Sequence, residues 1–372
     1  MNVRQFLILT FGAALIAAGI WFGFVLTRPG LPPEAPPPPP PPPPTPTPIV
    51  KPVEPPPAPV TAATNLVNQI FARIREGGLS PEDLDAFRKA LLSQPPGEAI
   101  VAILRFLVTG QDAITGEAFS LGENGELVGA PTFRVLLLDL LGRLCRGTKG
   151  NEAATAARAL LQRKTSPEEW AVALRNVGWA TPNDLSYIAE KTRELIRHEP
   201  WRHQPSAGFQ EAFDFIVYAR DVAMIPDLAQ MLRNDEDPLQ TTAAVTLDRL
   251  AEFAPLEAMN YLNQHRTELA DKPFLRADYF SKADLSQPAQ RSAMETYLAR
   301  SDVAFPEKAK MIAALASPGS FAADTLLTTP PPDEFSPQRE AALRRTVTDW
   351  ITTSRFPALM GPLQQLQRRI GN

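Results

Sequence analysis

The sequence predicts an all-α fold: an α-solenoid of stacked helix pairs with a small inserted β-hairpin, preceded by a transmembrane helix and a disordered polyproline linker. Three observations lead there. From Ala62 onward apolar residues recur at helical spacing between turn signals, a Ser/Thr-Pro helix start appears four times, and the residues before Ala62 join an uncharged run to a block of proline. The chain has 372 residues and 40 prolines, of which 19 fall between Pro29 and Thr61. The 311 residues that follow are of ordinary composition and suffice for a large core. They carry 34 basic and 39 acidic residues, a balance that argues against nucleic acid as a partner. One cysteine excludes an internal disulfide and three histidines leave little for a metal centre, so neither cofactor nor metal is expected.

Residues 1–5 read as a short cytoplasmic N-terminus. Phe6 to Leu26 is uncharged over 21 residues, about 31 Å as a helix and enough to cross a bilayer. Arg4 and Arg28 bound it as snorkelling residues do. A cleaved signal peptide, with Ala17, Ala18 and Gly19 as its small residues, is the rival reading; cleavage there would leave Ile20 to Leu26 as an apolar remnant on the mature end. Gly12, Gly19 and Gly23 share a face and form a candidate homodimer seam between two such spans.

Residues 29–61 form the linker. Pro36 to Pro44 are consecutive prolines, followed by Pro46, Pro48, Pro52, Pro55 to Pro57 and Pro59. Each ring fixes φ and removes a donor, so the segment favours polyproline II with a reach of roughly 100 Å. A membrane span followed by such a stalk resembles the energy-transducing TonB-type proteins over these 61 residues, although the span lacks the histidine those transducers carry. An envelope location follows from that length: a single pass in a bacterial inner membrane, with the C-terminal domain in the periplasm. Recognition of the prolines by SH3- or WW-type grooves is a further reading, and it needs an intracellular setting.

The folded region is expected over 62–372. Leu66, Val67, Ile70, Phe71 and Ile74 mark the first helical face, and Gly77-Gly78 stops it. Ser80-Pro81, Ser166-Pro167, Thr181-Pro182 and Ser336-Pro337 then predict helix starts, with the hydroxyl as cap and proline at the first helical position. Between Thr115 and Pro131 the period changes to alternation around Asn124-Gly125, which predicts a β-hairpin. Ile225 to Leu232 and Pro238 to Ala254 read as a helix pair joined by a polar turn, with Leu239, Ala243, Leu247, Leu250 and Ala254 on one face. On its Pro226-Asp227-Leu228 start, its Asp237-Pro238 turn and its alanine-rich second helix, the unit at 225–254 resembles a HEAT repeat. Weaker units are expected at 256–285 and 288–316, with earlier ones at 99–144 and 153–177. Helices at 336–352 and 357–370 would cap the stack.

The hairpin is the leading candidate for a partner-contacting element, with Asp112, Glu117, Glu123, Asn124 and Glu126 in or beside it. His198, Glu199 and His203 fail as a zinc motif because the histidines are five apart with Pro200 between them. Asn234 to Asp237 lacks the glycine of a calcium loop and reads as a capping turn. Cys145 reads as a small buried hydrophobe. No catalytic motif is present. The HEAT-like resemblance implies a binding scaffold, so the expected function is a membrane-tethered, non-catalytic adaptor that binds another protein. An envelope energy transducer or mechanical linker, and an enzyme acting on an envelope polymer, are the alternatives.

Overall fold

The computed structural model describes residues 61–77, 79–146, 151–316, 324–329 and 336–371. The predicted span at 6–26, with Gly12, Gly19 and Gly23, and the linker up to Val60 lie outside the described residues. Among the described residues no helix is long and apolar enough to cross a membrane.

The described chain is mostly helical. Helices α1 (Ala62–Arg75), α2 (Pro81–Leu92) and α3 (Pro96–Val108) lead into strands β1 (Ser120–Leu121) and β2 (Leu127–Gly129), and α4 (Phe133–Cys145), α5 (Glu152–Leu160), α6 (Pro167–Ala180) and α7 (Leu185–Ile196) follow. Three short helices, α8 (Glu199–His203), α9 (Ala207–Glu211) and α10 (Asp214–Tyr218), connect to α11 (Ile225–Arg233) and α12 (Gln240–Phe253). Then come α13 (Pro255–Gln264), α14 (Pro273–Ser281), α15 (Pro288–Ala299), α16 (Phe305–Ala314), α17 (Pro337–Thr352) and α18 (Met360–Gly371).

The start signals act chemically at three of the four places. Ser80 closes a capping box with Asp83, while Ser166 and Ser336 accept the amides of Glu169 (3.1 Å) and Arg339 (3.2 Å), each with proline at the first helical position. Thr181-Pro182 is the exception. The Thr181 hydroxyl donates to Val177 O at 2.9 Å and so finishes α6, and α7 begins only at Leu185 after Asp184. The hydroxyl oxygen accepts from Arg158 Nη2 at 3.4 Å instead of from an amide of α7.

Packing follows the predicted apolar faces. Phe71, Phe87, Phe106 and Phe133 gather α1 to α4 around one aromatic cluster with centroid separations of 4.8 to 5.7 Å. At 225–254 all five residues expected on the inner face, Leu239, Ala243, Leu247, Leu250 and Ala254, are buried. Helix α11 packs on α12 and α12 on α13, after which α12, α14, α16 and α18 pack in succession, as do α13 and α15. A buried triad locks this end: Arg276 on α14 makes two hydrogen bonds to Glu307 on α16 (2.7 and 3.0 Å), and the Tyr297 hydroxyl donates to the same carboxylate from α15. Burial and the Glu307 charge push the Tyr297 phenol far up, so it stays protonated and donating.

Candidate functional site

The site is built outward from the hairpin. Asn124 and Gly125 both have positive φ (58° and 75°) and Glu126 N–H donates to Glu123 O at 3.2 Å, a tight turn of the kind the Asn-Gly pair favours. The ribbon is bolted to the helices by charge. Leu127 N–H donates to Asp139 Oδ1 (3.0 Å), Arg143 reaches Leu127 O (2.5 Å), and Arg175 on α6 donates both to Gly125 O (2.7 Å) and to Asp139 Oδ1 (2.5 Å). Arg175 and Asp139 are fully buried. Burial lowers the Arg175 pKa and contact with the Asp139 carboxylate opposes that.

Residues 324–329 return from the C-terminal side and lie across this turn. Leu326 is fully buried, and its carbonyl oxygen passes so close to Gly125 that a Cβ there would stand 2.1 Å away. Leu327 packs against Gly178 of α6, where a Cβ would stand 2.3 Å from its Cδ1. The amides of Leu327 and Thr328 both donate to Asp214 Oδ2, at 2.7 and 3.0 Å, and Arg249 on α12 pairs with Asp214 Oδ1 at 3.2 Å. A strap bent at Leu326-Leu327 is thus gripped by one buried carboxylate, one leucine slot and two glycines.

Beside the strap opens a hollow of about 350 Å³ lined by Asn124, Arg146, Trp179, Pro182, Tyr218 and the strap itself. Trp179 is half-buried with the Arg175 guanidinium 4.0 Å and the Arg146 guanidinium 4.7 Å from its ring centroid, while the Tyr218 hydroxyl donates to Pro182 O at 3.3 Å. Cationic and aromatic groups thus meet on one wall of the hollow. On the other side a second hollow of about 260 Å³ holds Glu211, Asp214 and Arg249. Burial, then the Asp214 charge, raise the Glu211 carboxyl above its ordinary value, with Arg249 opposing.

The residues singled out in the sequence divide. Asn124 lines the larger hollow; Glu123 is exposed beside it in the turn; Glu126 pairs with Arg143 (3.2 Å) and Arg146 (3.9 Å) near its edge. Glu117 turns inward instead, accepting Arg88 and the Ala130 amide (2.9 Å), and Asp112 accepts the Arg134 amide (3.0 Å) in the first turn of α4. Those two hold the insertion in place. His198 lies tilted against Trp201 with ring centroids 4.2 Å apart, Asn234 and Asp237 accept amides two residues on, and Cys145 is buried with its thiol pushed up by desolvation. Among the described residues no group of three or more His, Cys, Asp or Glu is placed to hold a metal ion.

Asp214, Gly178, Trp179 and the strap carried no sequence reading of their own. The nearest signal was Asp214 itself, a single acid inside the apolar run from Ala212 to Val217. No family model, curated protein or solved structure gives a significant match to this chain.

Proposed function

We propose that the chain is a membrane-tethered, non-catalytic scaffold of the bacterial cell envelope, and that it binds another protein through the groove at Asn124, Trp179, Pro182 and Tyr218. One observation carries this reading: beside that groove the domain already holds a bent segment of its own chain, with amides on Asp214 and Leu326 in a closed slot. The succession of helix contacts from α12 to α18 supports a HEAT-like α-solenoid, an architecture that works through surfaces. The uncharged run at 6–26 supports a single-pass anchor in the inner membrane, and the prolines of 29–61 support a stalk that keeps the domain within reach of a periplasmic partner. Gly12, Gly19 and Gly23 remain the proposed seam of a homodimer within the membrane.

In-cell crosslinking with mass spectrometry tests this on the full-length chain against a form lacking residues 1–61. A single envelope protein captured by the full-length form, with its crosslinks on the helical domain, is the expected result. Contacts confined to the proline segment would instead favour an energy transducer or mechanical linker, in which the stalk is the working part. That second reading draws on the proline block at 36–44, and it requires that shortening the block abolish function while the domain stays folded.

A further inference from the structure

We propose that residues 324–329 are a resident ligand of the slot formed by Asp214, Gly178 and Gly125 beside the groove, and that the partner's contact segment is a bent stretch with two consecutive large aliphatic residues followed by threonine or serine, which replaces them. This rests on the reading of the groove as a protein-binding surface and adds what the surface selects.

Each part of the strap reports one requirement. The first aliphatic side chain enters a closed slot, since Leu326 has no exposed surface. The second lies on Gly178, where the missing Cβ leaves room for a branched side chain. The two amides on Asp214 Oδ2 exclude proline at the positions of Leu327 and Thr328, because a prolyl nitrogen has nothing to donate. The Thr328 hydroxyl reaches Asp214 O at 3.4 Å and the Thr325 hydroxyl donates to Thr328 O three residues on, so hydroxyl residues hold the bend at Leu326-Leu327. The strap belongs to no sheet: the described strands pair only with each other, and the strap's amides are held by a carboxylate. Side chains that grip a bent backbone in this way are indifferent to which chain supplies it.

A segment held in its own groove competes at an effective concentration of roughly millimolar. An external peptide making the same contacts therefore finds only a small fraction of grooves open, and its apparent affinity falls by that fraction. Weakening the strap without touching the groove should reveal the site.

The test uses the full chain and a fluorescein-labelled, end-capped peptide Asp-Thr-Leu-Leu-Thr-Thr, read by anisotropy. The strap variant Leu326→Ser/Leu327→Ser should bind the peptide saturably and at least about tenfold more tightly than the wild type. Binding should fail for a peptide with proline at the second leucine, and fail again when Asp214→Asn is added to the strap variant. Equal binding by wild type and strap variant, or no binding by a folded strap variant, overturns the proposal. Should that variant not fold, hydrogen exchange of the wild-type chain decides. A resident ligand releases the Leu327 and Thr328 amides by local opening that is independent of denaturant, whereas amides that exchange only with global unfolding mark a core segment and contradict the proposal. Peptide binding without any partner captured in cells would overturn the proposed function alone. A partner captured at the groove without peptide binding would overturn the resident ligand alone.

Discussion

Two buried arginine–carboxylate pairs hold the two ends of this domain, and they differ in what else they hold. Arg276–Glu307 joins α14 to α16 with Tyr297 as third member, and its outer contacts are the carbonyls of exposed Arg266 (3.0 Å) and of Glu268 (3.5 Å). Arg175–Asp139 joins α6 to α4 and also satisfies Gly125 O and Leu127 N–H, buried backbone groups of a ribbon that has few other partners. The first is a packing device that apolar side chains would replace. The second is the hinge pin of the candidate site.

Replacement experiments at these two pairs have the largest expected effects and sharpen this contrast. Arg175→Met leaves Asp139 with a buried charge short of one partner and should cost about 3–5 kcal/mol in urea unfolding, as should Arg276→Met at the other end. Their rescues should part company. The triple change Arg276→Met/Tyr297→Phe/Glu307→Leu should return to within roughly 1–2 kcal/mol of wild type. Arg175→Met/Asp139→Leu should stay lower, because Gly125 O and Leu127 N–H are then unpaired at about 1–3 kcal/mol each. Equal recovery at both ends would erase the distinction.

Smaller effects come from the glycines under the strap. Gly125→Ala combines positive φ with a 2.1 Å approach to Leu326 O and should cost about 2–4 kcal/mol. Gly178→Ala meets only the movable end of the Leu327 side chain and should cost about 1–2 kcal/mol. Gly361→Ala in α18, with nothing within 4 Å of the new Cβ, should stabilise by roughly 0.5 kcal/mol and controls for helix propensity. The order of the three unfolding midpoints is the check.

The subtlest effect is the pH response of Glu211, which faces Asp214 and Arg249. Its pKa is raised in the fold above the ordinary 4.5. The protonated form is therefore the better tolerated one, and the stability associated with it is present below pH 4.5 and lost as pH rises through the folded value. Glu211→Gln should accordingly stabilise the chain at neutral pH and make no difference below that range. A constant gap across pH would place the effect in packing instead.

The sequence disclosed the elements whose information is local. Leu247 and Leu250 show their face by spacing, Ser80 and Ser166 cap the helices they precede, and Asn124-Gly125 turns the ribbon. The site was much less legible, because its contacts join residues far apart in the chain. Asp214 meets Leu327 and Thr328 across more than a hundred residues, and Arg175 meets Gly125 across fifty. No periodicity carries such a pairing. Glu117 shows the converse: an acid beside a predicted loop is inward-facing because Arg88 sits opposite it.

Site-specific photo-crosslinking in the full-length chain addresses the groove most directly, with the probe placed once at Pro182 and once at the exposed Phe274 on α14. The account predicts that one envelope protein is captured from position 182 and not from position 274. Capture from position 274 alone, or from neither, would contradict the groove as the working surface of this protein.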